Sequence, residues 1–197
     1  MSIDSLRATE TDDIKFNVII CEQISTANPY ENIDMTLHYD FPFNYNRVMN
    51  YGASFCSNKY IMFCNNDLVY IKGFAERLVY AAECGYESLS PADPAQDRLT
   101  KERMVEGYGV QADLKGYCIF VTREMFERIG GFDTSLEFWY SDHLYKDQLI
   151  KHRIKHVRVT DSYVIHCHHC TLKKMDKGMK NEYTEGQRIK YYELKNT

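Results

Sequence analysis

Short apolar runs alternate with segments of helical periodicity along most of this chain, and this alternation is the feature that most restricts its fold. The apolar runs contain many β-branched and aromatic residues, which is typical of strands that are buried on both faces. The predicted strands cover 16–21, 59–64, 86–89, 114–122 and 155–165, and the predicted helices cover 44–57, 73–84, 123–129 and 139–152. Strands that alternate with helices predict an α/β fold whose central sheet is mainly parallel and flanked by helices.

Size and charge limit the organisation of the chain. It has 197 residues, of which 44% are hydrophobic and 26% charged, and this composition is typical of a compact domain with one active site. We therefore expect a single domain over residues 1–172, followed by a basic-leaning helical tail over 173–197. The net charge of -4 provides no general attraction for nucleic acid or for an anionic membrane.

Cysteine usage and the apolar runs indicate the compartment. The seven cysteines are an odd number without regular spacing, which argues against a disulfide-bonded secreted domain. The first residues lack the basic and apolar segments of a signal peptide, and no apolar run is long enough to cross a bilayer. We expect a cytoplasmic protein without an integral membrane segment.

Polar side chains stand where several predicted strands end. Ligands bind outside the carboxyl ends of parallel strands, so Glu22, the triplet Asn65-Asn66-Asp67 and His166 are expected to be neighbours. A carboxylate with nearby amide oxygens suits Mg²⁺ or Mn²⁺, which takes its other ligands from phosphates and water. Taken alone, the triplet is more typical of a turn, because Asn and Asp are favoured in turns for backbone reasons.

Two further side chains could take part in the chemistry. Asp142 lies near a predicted helix start, where the helix dipole keeps a carboxylate ionised, so it could be a general base or simply a helix N-terminal charge. His166 could complete a metal site with Asp67. The alternative ligands nearby are Cys167, His168, His169 and Cys170. A closed structural zinc site is poorly supported, because no partner Cys-x-x-Cys pair exists elsewhere in the chain.

Five segments occur in the order of known motifs. Residues 43–52 look like an N-R-x-x-N-x-G helix, 60–67 like a strand with a metal-binding acidic motif, 116–133 like a G…R-E-x-F…G-G-F-D segment, 141–142 like an E-D pair and 164–166 like a v-x-H motif. Together they resemble glycosyltransferase family 2 and its GT-A relatives, over roughly residues 16–170. The chain departs from this pattern in two ways: the family's first strand has no counterpart, and Ser141 replaces the usual Glu.

The resemblance implies a GT-A fold and a metal-dependent glycosyltransferase. Such an enzyme moves a sugar from a nucleotide-diphosphate sugar to a hydroxyl acceptor such as a carbohydrate. It implies that Asp67 and His166 hold Mn²⁺ or Mg²⁺, and that Asp142 is the base of an inverting reaction. The implied donor contacts are Glu22, Arg47, Asn50, Asn65 and Asn66, and the implied acceptor side contains Gly116, Trp139 and Tyr140.

Two other functions fit the same sequence. The missing first strand is compatible with a non-catalytic or partner-dependent GT-A domain that binds nucleotide or glycan, and another subunit of an oligomer could supply the absent part of the pocket. The basic-leaning tail is compatible with a glycosyltransferase that acts on modified nucleic acid.

Overall fold

The computed structural model describes residues 2–23, 30–97, 100–167 and 177–196. The helices are α1 (Ser2–Arg7), α2 (Tyr45–Ala53), α3 (Phe74–Glu83), α4 (Arg123–Arg128), α5 (Ser141–Lys151) and α6 (Lys177–Lys195). The strands are β1 (Ile19–Glu22), β2 (Met35–His38), β3 (Tyr60–Cys64), β4 (Leu68–Tyr70), β5 (Ser88–Ala92), β6 (Met104–Glu106), β7 (Cys118–Thr122) and β8 (His156–His166).

The main sheet has six strands in the order β3-β7-β5-β8-β4, with β6 also paired to β8. Within the described residues, β5 and β8 are the one parallel pair of this sheet, and its other pairs are antiparallel. The expected α/β class is confirmed, but the sheet is mixed and not mainly parallel. Apolar runs cannot distinguish the two cases, because any strand covered by helices on both faces is buried on both sides.

A separate two-stranded sheet lies beside the main one. It consists of β1 and β2, which run parallel with Ile19 opposite Met35 and Glu22 opposite His38. β2 was not predicted, because it is only four residues long and only one of them, Leu37, is buried, so the sequence contains no apolar run there.

Helices cover both faces of the main sheet. On one face α3 packs Phe74, Leu78 and Ala81, all fully buried, against a cluster that includes Leu89 and Val157. On the other face α2, α4 and α5 pack against a second cluster of strand residues. Strand β3 contributes to both, since Ile61 and Phe63 belong to the second cluster while Tyr60 and Met62 pack against the first. This is the alternation expected of a strand between two helical layers.

Local sequence signals account for the start of α2 and the end of α3. Helix α3 falls within the predicted 73–84, and Gly85 adopts a positive φ of 98° just after it, as expected for a helix stop. Helix α2 begins after Asn44, whose side chain accepts a hydrogen bond from the Arg47 N–H. The same Asn44 amide donates to the carbonyls of Thr134 and Leu136, and this fixes the start of α2 to the loop before α5.

Helix α6 packs on the rest of the chain. Gln187 and Tyr191 of α6 are buried, and Tyr191 contacts Leu136 and Leu144. The division of the chain at residue 172 stays a prediction. No described helix combines the length and the apolar character that a bilayer-spanning helix needs.

A buried polar network lies under the main sheet. The Ser88 hydroxyl is 2.6 Å from the Tyr145 hydroxyl and 2.8 Å from His156 Nδ1. The other ring nitrogen of His156 is 3.3 Å from the Asp113 carbonyl. Burial lowers the pKa of His156 to about 4, because a buried imidazolium loses its hydration. The folded state therefore favours the neutral ring.

This network predicts a loss of stability in mild acid. The folded pKa of His156 lies below its unfolded value near 6.5, so the unfolded chain binds more protons as the pH falls between these values. We expect the neutral ring's contribution, about 3 kcal/mol, to be present above pH 6.5 and lost by pH 4. Urea unfolding of wild type and His156→Gln is measured at several pH values between 7 and 4. The contribution is the difference between the two proteins in how steeply the free energy of unfolding falls with pH. His152→Gln, which changes an exposed histidine, is the control and should show the wild-type pH dependence. If His156→Gln also showed the wild-type pH dependence, His156 would not be the group responsible.

Candidate functional site

A cavity of about 1290 Å³ lies between β1, β3 and α2 and opens where β3 ends. Most of its wall is apolar, but its rim carries polar side chains. The rim residues include Tyr45, Asn65, Asn66, Asp67, Phe138 and His166. The end of β3 is therefore where a polar ligand could meet a mostly apolar cleft, as is typical of small-molecule sites.

Asp67 and His166 form a close pair at this rim. His166 Nε2 is 3.2 Å from Asp67 Oδ1, and both side chains are 14% exposed. They meet because β4 starts directly after Asp67 and pairs antiparallel with the end of β8, with Leu68 opposite His166. The Cys167 N–H also donates to the Asp67 carbonyl at 2.9 Å. The pair predicted from the sequence is thus brought together, although by antiparallel pairing.

Two residues that the sequence analysis missed hold His166 in place. The Asp93 carboxylate is fully buried and accepts a hydrogen bond from the His166 N–H at 3.2 Å. The Tyr117 ring stacks on the His166 ring with centroids 4.5 Å apart. Asp93 directly follows the strand β5, so the strand-end rule that selected Asp67 could also have found Asp93.

Asp142 lies in the first turn of α5, as predicted from the sequence. Its Oδ1 accepts a hydrogen bond from the His143 N–H and lies 2.9 Å from His143 Nδ1. On its other side is Gly116, where an added Cβ would lie 3.2 Å from both Cβ and Oδ2 of Asp142. A glycine at 116 thus lets the carboxylate approach the backbone closely.

The segment 116–117 connects the two centres. Gly116 lies against Asp142, and the next residue, Tyr117, stacks on His166. Consecutive Cα atoms are about 3.8 Å apart, so Asp142 and His166 contact adjacent residues of one short segment, although Gly116, Tyr117 and Asp142 are not among the described residues that line the cavity.

Aromatic side chains form another part of the rim. The Tyr45 hydroxyl donates to Asn65 Oδ1 at 3.2 Å, and the Tyr45 ring lies edge-on to Phe138 with centroids 5.9 Å apart. Burial raises the pKa of Tyr45, and the nearby Cys64 and Asp142 add to this shift. Trp139 packs on Phe138 at 5.0 Å. Tyr45 was missed, although it lies inside the motif at 43–52.

Three of the expected donor contacts lie elsewhere. Asn50 donates to the Phe132 carbonyl and accepts from the Phe132 N–H, both at 2.8 Å, so its amide joins α2 to the turn after α4. Glu22 lies 3.6 Å from His38 Nδ1 on β2. Arg47 is exposed and lies over the Phe41 ring. Glu22, Arg47 and Asn50 are not among the described residues that line the cavity.

The expected acceptor residue Tyr140 packs against α6. It adopts a left-handed conformation with φ of 66°, and its ring stacks on Tyr191 at 5.3 Å. Tyr191 also donates to Asp147, and the Glu137 N–H donates to Gln187 Oε1. Helix α6 therefore supports the loop that leads to Asp142.

The structure describes only some of the alternative metal ligands that were named from the sequence. His168, His169 and Cys170 lie outside the described residues. Within the described ranges, no group of three or more His, Cys, Asp or Glu side chains is close enough to hold a metal ion. The Asp67–His166 pair would have to share an ion with ligands from elsewhere.

Comparison with known proteins gives matches in structure but not in sequence. No family profile and no curated protein sequence matches the chain. The catalytic domain of Drosophila β1,4-galactosyltransferase 7, solved with xylobiose, is similar with a TM-score of 0.51 and 19% identity over 74% of this chain. A variant of that enzyme, solved with manganese, UDP-Gal and xylobiose, is similar with a TM-score of 0.51 and 18% identity over 77% of this chain.

The structural similarity covers only part of each of these two structures. The chain spans 62% of the first structure and 66% of the second. At 18–19% identity the agreement is in fold alone. The chain therefore has a fold of the GT-A glycosyltransferase type.

Proposed function

We propose that this chain is a nucleotide-sugar glycosyltransferase that moves a sugar to a hydroxyl group of a carbohydrate acceptor. The observation that carries the proposal is that the consecutive residues Gly116 and Tyr117 contact Asp142 and His166, respectively, and that His166 pairs with Asp67. The reaction needs these two elements side by side: a site for the diphosphate and a base for the acceptor. The GT-A type of fold and the ligands of its structural neighbours support the same reaction class.

The Asp67–His166 pair fits a divalent ion in its chemistry. A carboxylate and an imidazole together suit Mn²⁺, and ligand atoms about 2.1 Å from an ion can lie as close as the 3.2 Å measured here. Such ions take their remaining ligands from phosphates and water, so two protein ligands are sufficient. When bound, Mn²⁺ or Mg²⁺ offsets the charge that develops on the leaving diphosphate.

The chain's own residues account for the other steps. Asn65 and Asn66 lie beside Asp67 and supply amide groups to the donor. Asp142 accepts the proton of the acceptor hydroxyl, and attack on the face opposite the leaving group inverts the anomeric carbon. Phe138 and Trp139 provide flat surfaces on which a sugar ring can stack.

Nucleotide binding tests the donor site directly. Calorimetry with uridine and guanosine diphosphates, each with and without manganese, should give one site per chain whose affinity depends on the metal. The neighbour solved with UDP-Gal makes the uridine nucleotide the first choice. No binding of either nucleotide, with or without metal, would refute a donor site that is complete in this chain alone and would favour the partner-dependent form.

One observation favours a partner-dependent form of the same function. The cavity extends from the rim into the space between β1 and β3, which are not paired with each other in the described structure. The wall of the proposed donor site next to β1 is therefore incomplete in the described structure.

A further inference from the structure

Strands β1 and β3 border the same cavity with unpaired edges. Within the described chain, β1 pairs only with β2, and β3 pairs only with β7. Residues of both strands line the cavity of about 1290 Å³. A strand edge presents a row of backbone N–H and C=O groups that can bind another strand.

Hydrogen bonds identify which backbone groups of β3 face the cavity. The Arg123 N–H donates to the Lys59 carbonyl, and the Asn65 N–H donates to the Tyr117 carbonyl. Odd-numbered residues of this strand therefore bond to β7. Because backbone groups alternate in direction along a strand, those of the even-numbered residues Tyr60, Met62 and Cys64 point to the opposite edge.

The same reasoning applies to β1. The carbonyls of Val18 and Glu22 accept hydrogen bonds from residues that flank β2, so even-numbered residues point toward that strand. The backbone groups of Ile19 and Cys21 consequently point away from β2. The space between β1 and β3 is thus bordered by two rows of backbone donors and acceptors.

Apolar side chains cover this space from both faces. On the face of α2 it is lined by Val48, Met49, Gly52 and Ala53. On the opposite face it is lined by Leu6, Ile14, Phe16, Ala75 and Val79. An occupant must therefore be apolar on both faces and polar along both edges, and this combination is characteristic of a buried β-strand.

We propose that this gap binds an extended apolar segment of about five residues from another polypeptide, in the manner of β-strand addition. The segment pairs with β1 and β3 at once and joins the two sheets into one. Its length follows from the four residues of β1 and the five of β3. A lipid or detergent could fill the volume but would leave the backbone groups of both edges without partners, which is unfavourable in an apolar space.

A different protein fits this role better than a second copy of the chain. The apolar runs that became β3, β5 and β7 are already built into the main sheet, so the described part of another folded copy has no spare strand of this kind to donate. The bound segment would lie beside Asn65 at the cavity rim, and would therefore also form the floor of the proposed donor site.

Amide hydrogen exchange followed by NMR tests the proposal. The probe is the peptide Lys-Lys-Val-Ile-Val-Ile-Val-Lys-Lys, and the control replaces both isoleucines with proline, which removes N–H groups and the extended pairing. We expect the probe to slow exchange at Tyr60, Met62 and Cys64 by at least about tenfold. Exchange at Ile61 and Phe63, whose N–H groups already bond to β7, should not change.

Three results would overturn the proposal. The first is equal protection of odd- and even-numbered β3 amides in the free protein, which would mean that the gap is closed. The second is no alternating protection at saturating probe, and the third is the same protection from the proline peptide or from octyl glucoside. The measurement uses neither nucleotide nor metal, so its outcome is independent of the nucleotide-binding test.

Discussion

Asp142→Asn is expected to lower kcat by about a thousandfold while leaving nucleotide affinity unchanged, because general-base catalysis typically contributes 10²–10⁴-fold. An asparagine Oδ1 can still accept the His143 N–H, so the first turn of α5 should keep its geometry. It cannot accept the proton of the acceptor hydroxyl. The measurement is nucleotide release at saturating donor and acceptor, together with calorimetry of nucleotide binding on the same preparation.

The neighbouring histidine provides the matched control for Asp142. His143 Nδ1 lies 2.9 Å from Asp142 Oδ1, so His143 is the other group that could remove the proton. If Asp142 is the base, His143→Gln should retain most of the wild-type kcat, because the carboxylate remains in place. A large loss in His143→Gln with little loss in Asp142→Asn would transfer the role of base to the imidazole.

The contact between Asp67 and His166 was predicted for a reason that the structure corrects. The prediction placed both residues at the carboxyl ends of parallel strands. In the structure, β4 starts at Leu68 and pairs antiparallel with the end of β8, and this pairing brings the two side chains together. Strand direction depends on contacts between residues about a hundred positions apart, and no local period of the sequence carries that information.

Elements with strong local signals were predicted well, and short partly exposed strands were not. The apolar spacing of α3 and the glycine after it identify this helix, and β3 follows from its apolar run. Strand β6 has three residues within a charged segment that none of the predicted strands or helices covers, and it forms because it pairs with β8. Its stability comes from a distant partner and not from its own composition.

Asn50 shows why a motif alone does not assign a role. It stands in the segment that resembles a nucleotide-contacting helix, yet both ends of its amide bond to the backbone of Phe132, 82 positions later. Gly131 lies next to it with φ of 80°, and an added Cβ there would lie 2.9 Å from Asn50 Oδ1. The partner of a polar side chain can be identified only once the chain is folded. Tyr117, which stacks on His166, was missed for the same reason, whereas Asp93 was missed because the predicted strand 86–89 ended before it.

Removing either member of the Asp67–His166 pair should abolish the metal dependence of nucleotide binding. Changes that only disturb the surroundings of a metal ligand cost 10–100-fold in affinity, so Asp67→Asn should weaken manganese-dependent binding of uridine diphosphate by at least about 100-fold. The backbone contact from Cys167 to the Asp67 carbonyl does not involve the side chain, so the strand ends should remain paired. Calorimetry with and without manganese measures the effect, and Asp12→Asn is the control for loss of one exposed acidic group.

The double variant distinguishes a shared ion from two separate contacts. If Asp67 and His166 bind one ion, a site that has lost this ion has no further metal contact to lose. The combined Asp67→Asn and His166→Gln variant should then bind the nucleotide in the presence of manganese almost as well as the single variant with the lower affinity. All variants should then bind the nucleotide with the same residual affinity when manganese is left out. Losses that simply add, or that persist without the metal, would mean that the two side chains contact the nucleotide independently. Since the atoms of this pair are 3.2 Å apart, we expect strong coupling between the two substitutions.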